Sequence, residues 1–272
     1  MTALIFDTET HKLHGEIIEA AWMNVKIQNS RLSSDFQYYG SQRYKPSEPI
    51  NLVAMSVHNI VDADLEDCQP STKFRFPAQV EYLIGHNIDY DIEAVKRAGV
   101  DTSEIKPICT LAMSRYLWPT LESHKLSVLA YFIHPRTEHK NARQLIKEAH
   151  GAFTDVQMTL LLLDEIRKQR GIQTFEELYE FSEMTRYPTH IFYGKYRGWA
   201  IKDMEDKDIH WLMGKTDDEY LRTSLENELL ERCNLNENEE LPFRFSAPFM
   251  HLHPGVHSSK ISLNILKFLK RR

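Results

Sequence analysis

Leu4-Ile5-Phe6-Asp7-Thr8-Glu9-Thr10 is an apolar run that ends in two carboxylates separated by one residue. Such a run reads as a buried strand. Alternate residues of a strand share a face, so Asp7 and Glu9 can point into one site. Two bare carboxylates about 4 Å apart repel by roughly 4 kcal/mol at an effective dielectric of about 20. A hard cation is the natural reason to keep both ionised, and an all-oxygen ligand set suits Mg²⁺ or Mn²⁺.

The 272 residues are 42% hydrophobic, enough for one large domain with a full core and a small one beside it. The N-terminal segment lacks a basic stretch followed by a long apolar one, and nothing approaches the ~18 apolar residues of a membrane span. No membrane association and a cytoplasmic location are expected. Cys68, Cys109 and Cys233 are scattered and form no Cys-x-x-Cys pair, which predicts free thiols in a reducing compartment rather than disulfides or a cysteine zinc site.

The net charge of −6 is unevenly spread. Residues 202–240 hold five Lys and Arg against thirteen Asp and Glu, so the remainder carries +2. Lys260, Lys267, Lys270, Arg271 and Arg272 make the end basic, as a phosphate contact or as a solvated helix end. A nucleic-acid partner is therefore compatible with an acidic total.

Along the chain, Ile17–Ile27 and Phe36–Gly40 read as further strands joined at Gln28-Asn29-Ser30, and Val80–Asn87 and Pro107–Cys109 as two more. Helices are expected at 51–58, 62–67, 91–98, 111–117, 127–133, 142–149, 155–168 and 175–184. The run Leu160–Leu163 predicts a helix buried on most sides. The expected architecture is α/β: a mixed five-stranded sheet flanked by helices in residues 1–172, a small C-terminal α+β module at 188–233, and an acidic link and basic tail at 234–272, with a boundary near 172–188.

Two more acidic motifs follow the first. Gly85-His86-Asn87-Ile88-Asp89-Tyr90-Asp91 is a strand end turning into a helix, where Asp89 suits a helix cap and Asp91 a metal ligand, with Asn87 available to the backbone or to a phosphate oxygen. In His150-Gly151-Ala152-Phe153-Thr154-Asp155, the aspartate enters the apolar helix and His150 lies on the preceding turn. A general base for water needs a pKa near neutrality, and histidine starts at about 6.5.

These residues, in this order, resemble the DEDDh group of the DnaQ-like 3′→5′ exonucleases, within the ribonuclease H-like superfamily, over roughly residues 3–168. The resemblance implies Asp7, Glu9, Asp91 and Asp155 as ligands of two Mg²⁺ ions, with Mn²⁺ as a substitute, and His150 as the base. The tyrosine subgroup has its base four residues before the last aspartate, where Gly151 stands here. Ile108–Leu111, Arg115–Pro119 and Phe192–Gly198 look like the exodeoxyribonuclease X branch of that family. Thr8 and Thr10 are candidates to hydrogen-bond the terminal sugar, and Val57-His58-Asn59-Ile60 resembles the segment that stacks under the last base in relatives. With Asn87, these form the candidate substrate-binding set. The implied substrate is nucleic acid with a free 3′ end, DNA before RNA, releasing nucleoside 5′-monophosphates. An exoribonuclease, or a non-catalytic subunit that binds 3′ ends or a polymerase, are the alternatives, and self-association as a homodimer is compatible with each.

Two positions depart from the family pattern: Asp89 adds a charge, and His11-Lys12 replaces a small residue. Glu19 reads as structural, accepting hydrogen bonds from neighbouring backbone. His11, His58 and His86 are not placed as bases, since only His150 precedes an acidic ligand at the required spacing. Phe192–Gly198 combines two glycines, Lys195 and Arg197 with aromatics, and fits a phosphate-gripping, base-stacking segment or a tight, ordinarily packed hairpin equally well. His251, His253 and His257 read as a proline-interrupted surface loop.

Overall fold

Strand β1 (Ala3–Thr10) is the middle of a five-stranded sheet of order β3-β2-β1-β4-β5. The computed structural model describes residues 2–147 and 151–239. Strands β2 (Ile17–Gln28) and β3 (Arg31–Arg43) extend the sheet antiparallel on one side, and β4 (Tyr82–Gly85) and β5 (Lys106–Cys109) run parallel to β1 on the other. The sheet is thus mixed. Asn29 and Ser30 both take left-handed backbone, φ 49° and 60°, the geometry that lets a two-residue turn follow the twist of a hairpin. Strand β3 begins five residues earlier than its aromatic segment suggests, because Arg31–Ser34 pair through backbone rather than through an apolar pattern.

Parity along β1 divides its side chains between two layers. Ala3 and Ile5 join Met23, Val25, Ile84 and Ile108 under helix α6 (Ala152–Arg170), with Val156, Leu162, Leu163 and Ile166. Leu4 and Phe6 face the opposite side with Ile17, Leu83 and Phe74, against Ala94 and Val95 of helix α2 (Ile88–Arg97). Asp7 and Glu9 continue the first series and Thr8 and Thr10 the second. Helix α1 (Leu52–His58), capped by the Asn51 side chain, and the 3₁₀ turn Asp62–Leu65 cover a smaller cluster of Ile18, Ile50, Ile60 and Leu65.

Helices α3 (Thr110–Leu117), α4 (Leu126–Phe132), α5 (His139–Lys147) and α7 (Phe175–Thr185) complete the first layer. Helices α2, α5 and α6 each start three residues before the expected position, and Ile88 and Ala152, which open α2 and α6, are buried. Helix α6 is not buried all round, since Leu161 is 40% exposed. Helix α7 opens with a reciprocal cap between Thr174 and Glu177 and sends Leu178 and Phe181 into the same core. The first compact unit accordingly runs Met1–Asp203, past the boundary expected at 172–188.

The segment 188–203 holds a single bridge, His190–Ala200, and 3₁₀ turns at Gly194–Tyr196 and Ile201–Asp203. In the second unit, from Met204, the described residues form helices α8 (Asp206–Met213) and α9 (Glu219–Glu239). Ile209, Leu212, Leu221 and Leu225 are buried in it. No strand occurs among its described residues. The acidic link expected from Asn234 is the last part of α9 as far as Glu239; glutamate favours helix, and charge density alone did not mark a linker. The three cysteines are free. Among the described residues no helix is long and apolar enough to cross a membrane. His150, the three histidines at 251–257 and the basic end lie outside the described residues.

Candidate active site

Asp7 and Glu9 stand at the end of β1 on the α6 side of the sheet, and Asp155 occupies the first turn of α6. Asp91 comes from the first turn of α2, which follows β4, the parallel neighbour of β1. Two helix N-termini and one strand end thus deliver four carboxylates to one edge of the sheet. The positive ends of helices favour such charges.

Proton affinities register how closely the acids approach. Burial, then Asp91, Asp155, Glu9 and Glu19, hold the Asp7 carboxyl well above the usual carboxylate range. Glu9 is pushed up to about 8 by burial, then by Asp155, Glu19 and Asp91. Asp91, 3% exposed, is raised to about 7 by burial and by Asp155, against the pull of two hydrogen bonds from Thr8.

Those bonds fix Asp91. The Thr8 backbone N–H and hydroxyl both donate to Asp91 Oδ1, at 2.8 and 2.7 Å. Because Thr8 faces α2 by parity, the strand that carries two candidate ligands also clamps a third.

Glu19 clamps the fourth. It is paired across the sheet with Glu9 on one side and Arg43 on the other. Its Oε1 accepts from Arg43 Nε at 3.1 Å and its Oε2 from the backbone N–H of Ala152, the first residue of α6, at 2.9 Å. A Cβ on Gly151 would stand 3.3 Å from Oε2, so glycine keeps that approach open. Glu19 therefore does accept a backbone hydrogen bond, and the helix it anchors is the one bearing Asp155.

The residues read as substrate contacts fall into different surroundings. The Thr8 hydroxyl is engaged with Asp91, and Thr10, also buried, donates to the Lys12 carbonyl at 2.9 Å and meets the Tyr90 hydroxyl. Both hydroxyls are engaged within the protein. His58 is 3% exposed; its Nδ1 accepts from the Ile60 N–H at 3.0 Å, while Nε2 is buried without a partner among the described residues. Burial holds its pKa below the ordinary histidine value. Asn87 is exposed, with φ 73°, and its side chain makes no cap bond to α2.

Asp89 is not the helix cap. It pairs with Arg186, just past the end of α7, whose Nε also meets Glu183 Oε1 at 2.6 Å. The added charge beside the ligands is thereby neutralised by a guanidinium that is 4% exposed. Only an isolated cation after an acidic helix marked Arg186 in the sequence, and nothing there named its partner. His86, set aside as a base, is held by Thr110 Oγ1 at 3.1 Å and the His124 carbonyl at 2.8 Å, and burial pushes its pKa down to about 4.

The donor set is all oxygen and anionic, the chemistry of a hard divalent cation. Among the described residues no three His, Cys, Asp or Glu side chains are arranged to hold an ion as they stand. The fit lies in donor type and in the mutual electrostatic influence of the four acids.

No protein-family profile matches the chain. It is 28% identical over 221 residues to Exodeoxyribonuclease 10 of Escherichia coli (strain K12), covering 78% of this chain and 91% of that protein. It is 27% identical over 183 residues to the PolC-type DNA polymerase III of Pediococcus pentosaceus, covering 64% of this chain and 12% of that polymerase. A solved structure of exonuclease X with 5′ overhanging duplex DNA superposes with a TM-score of 0.49 at 26% identity, over 66% of this chain and 99% of that one. In sequence the chain is thus similar to an exodeoxyribonuclease and to a part of a DNA polymerase, and its motifs resemble those of the DnaQ-like 3′→5′ exonucleases.

Proposed function

We propose that the protein is a 3′→5′ exodeoxyribonuclease that releases nucleoside 5′-monophosphates from DNA 3′ ends, using two Mg²⁺ ions, or Mn²⁺ in their place, bound by Asp7, Glu9, Asp91 and Asp155. The observation that carries this reading is the approach of four carboxylates from β1, α2 and α6, close enough to raise one another's proton affinity. Exonucleases of this family depend on divalent metal ions. Preference for DNA rests on the similarity to Exodeoxyribonuclease 10.

When bound, such ions offset charge on the phosphate and ease deprotonation of the attacking water. The chain's own residues do the rest. Thr8 holds one oxygen of Asp91 in place, and Glu19 holds the start of α6 and with it Asp155. Glu9, with a pKa of about 8, and Asp91, at about 7, must give up protons before they can act as ligands, so cation affinity should climb through neutral pH. His150, assigned by resemblance, takes the proton from water, a role typically worth 10²–10⁴-fold. The Nε2 of His58, without a partner among the described residues, offers the terminal nucleotide a buried hydrogen-bonding group. Free cysteines suit a cytoplasmic enzyme.

The test is hydrolysis of matched 5′-labelled DNA and RNA strands by wild type and His150→Ala, with and without Mg²⁺. A shortening ladder on DNA that needs Mg²⁺ and fades in the variant is expected. Faster loss of RNA would overturn the DNA assignment, and an unchanged ladder in the variant would overturn the base.

A further inference from the structure

From Arg186 to Lys202 the chain has no acidic residue, and its charged groups are Arg186, Lys195, Arg197 and Lys202, in a protein of net charge −6. This stretch is a built loop. The Ile191 N–H donates to the Trp199 carbonyl at 2.9 Å, Gly198 N–H to the Ile191 carbonyl at 2.7 Å, and Ile201 N–H to the Thr189 carbonyl at 2.9 Å. Ile191 and Tyr196 are buried beneath it. What it turns outward is unusual for a closed loop: Trp199 is 52% and Tyr193 39% exposed, with Lys195 and Arg197 exposed between them. Gly194 and Gly198 are left-handed, φ 68° and 82°, and a Cβ on either would meet nothing within 4 Å, so the backbone there is open to close approach.

The loop is fastened beside the carboxylate edge. At its root the buried Arg186 pairs with Asp89, two residues before Asp91. Farther along, the Arg115 guanidinium lies 3.7 Å from the Phe192 ring centre, and Arg197 Nη1 donates to the Glu122 carbonyl at 2.9 Å. Lys195 lies over the Tyr196 ring and Arg197 donates to the Glu122 carbonyl, so folding accounts for where these cations sit but not for the two aromatic faces turned outward beside them. A ligand with flat faces and regularly spaced negative charge does, and single-stranded nucleic acid has both.

We propose that the Tyr193–Trp199 face is a second binding surface for the single-stranded DNA that trails 5′ of the reacting end, with Trp199 and Tyr193 stacking on bases and Lys195 and Arg197 meeting phosphates. The proposal rests on the exonuclease reading and deepens it: turnover of a long strand depends on this face, whereas chemistry on a lone nucleotide does not.

Wild type, Trp199→Ala and Lys195→Ala are compared on the p-nitrophenyl ester of thymidine 5′-monophosphate and on a single-stranded oligonucleotide. Binding of the same labelled oligonucleotide is followed by anisotropy with Ca²⁺ in place of Mg²⁺, and melting temperatures report folding. Ester hydrolysis should stay within about twofold of wild type, while Trp199→Ala raises the KM and Kd for the oligonucleotide about tenfold. Lys195→Ala should flatten the slope of log affinity against log salt by about 0.7. Folded variants that bind the oligonucleotide as wild type does overturn the proposal, whether or not the ester is cleaved. A wild type inert toward both ester and oligonucleotide overturns the exonuclease reading instead, and the anisotropy still decides the loop.

Discussion

Glu19 anchors Ala152 and Arg43 with one carboxylate at the rim of an acidic site. Its truncation would leave the Ala152 N–H unsatisfied and loosen the turn that carries Asp155. Glu19→Ala should lose about 1–3 kcal/mol of stability in urea denaturation and raise the Mg²⁺ concentration needed for half-maximal rate. Glu19→Gln, which keeps one acceptor, should recover part of both, and a Gln variant as impaired as Ala would point to charge rather than hydrogen bonding. His86 carries a different signature. With its pKa lowered from 6.5 to about 4 in the folded chain, the unfolded chain takes up the proton first as pH falls. Its contribution is intact above about pH 6.5 and is lost progressively towards pH 4, at about 1.4 kcal/mol per pH unit at most. His86→Asn should flatten the stability profile across that window, and a melting-temperature series against pH would show it.

Between elements, the Asp89–Arg186 pair joins the first turn of α2 to the end of α7. Asp89 is 44% exposed and Arg186 only 4%, so the two partners are not equivalent. Removing the aspartate leaves a buried guanidinium short of a carboxylate, whereas removing the arginine frees a carboxylate that water can solvate. Asp89→Ala should therefore destabilise more than Arg186→Met, by about 1–3 kcal/mol, and the double variant should resemble Arg186→Met. Single-variant losses that simply add in the double variant would show that the pair does not couple the helices. Element types were mostly legible in the sequence because apolar periodicity drives them: β1, β2 and α7 are where pattern and caps place them. The first half of β3 was not, since Arg31–Ser34 pair through backbone that no side-chain pattern advertises. The Asn234–Glu239 part of α9 was read as a link because its acidity masked residues that favour helix.

For the molecule as a whole, the acidic site is a reservoir of repulsion. Carboxyls whose folded pKa lies above the unfolded value favour the folded state while protonated, and that contribution is lost as pH rises from about 4 towards the folded values of about 7 for Asp91 and about 8 for Glu9. In EDTA the melting temperature should fall across this range. Added Mg²⁺ at 100 times its Kd should restore about 2.7 kcal/mol at the alkaline end. Asp7→Asn should shrink both the fall and the rescue, and a variant rescued by Mg²⁺ as fully as wild type would argue against Asp7 as a ligand. The acids of this site were legible because their order and flanking elements are local. Glu19 could be read only as structural, and Thr8 was assigned to the sugar, because cross-strand register and the parity of β1 appear only once the sheet is assembled.

That parity makes the chemistry a counting problem. Deleting one residue between Leu4 and Phe6 would alter no candidate ligand, yet it would exchange the roles of the two series, turning Asp7 and Glu9 toward α2 and Thr8 away from Asp91. Drift by substitution is open to much of this surface, but insertion and deletion in β1 are closed to it. Lineages of this fold should vary in what surrounds the strand long before they vary in its length.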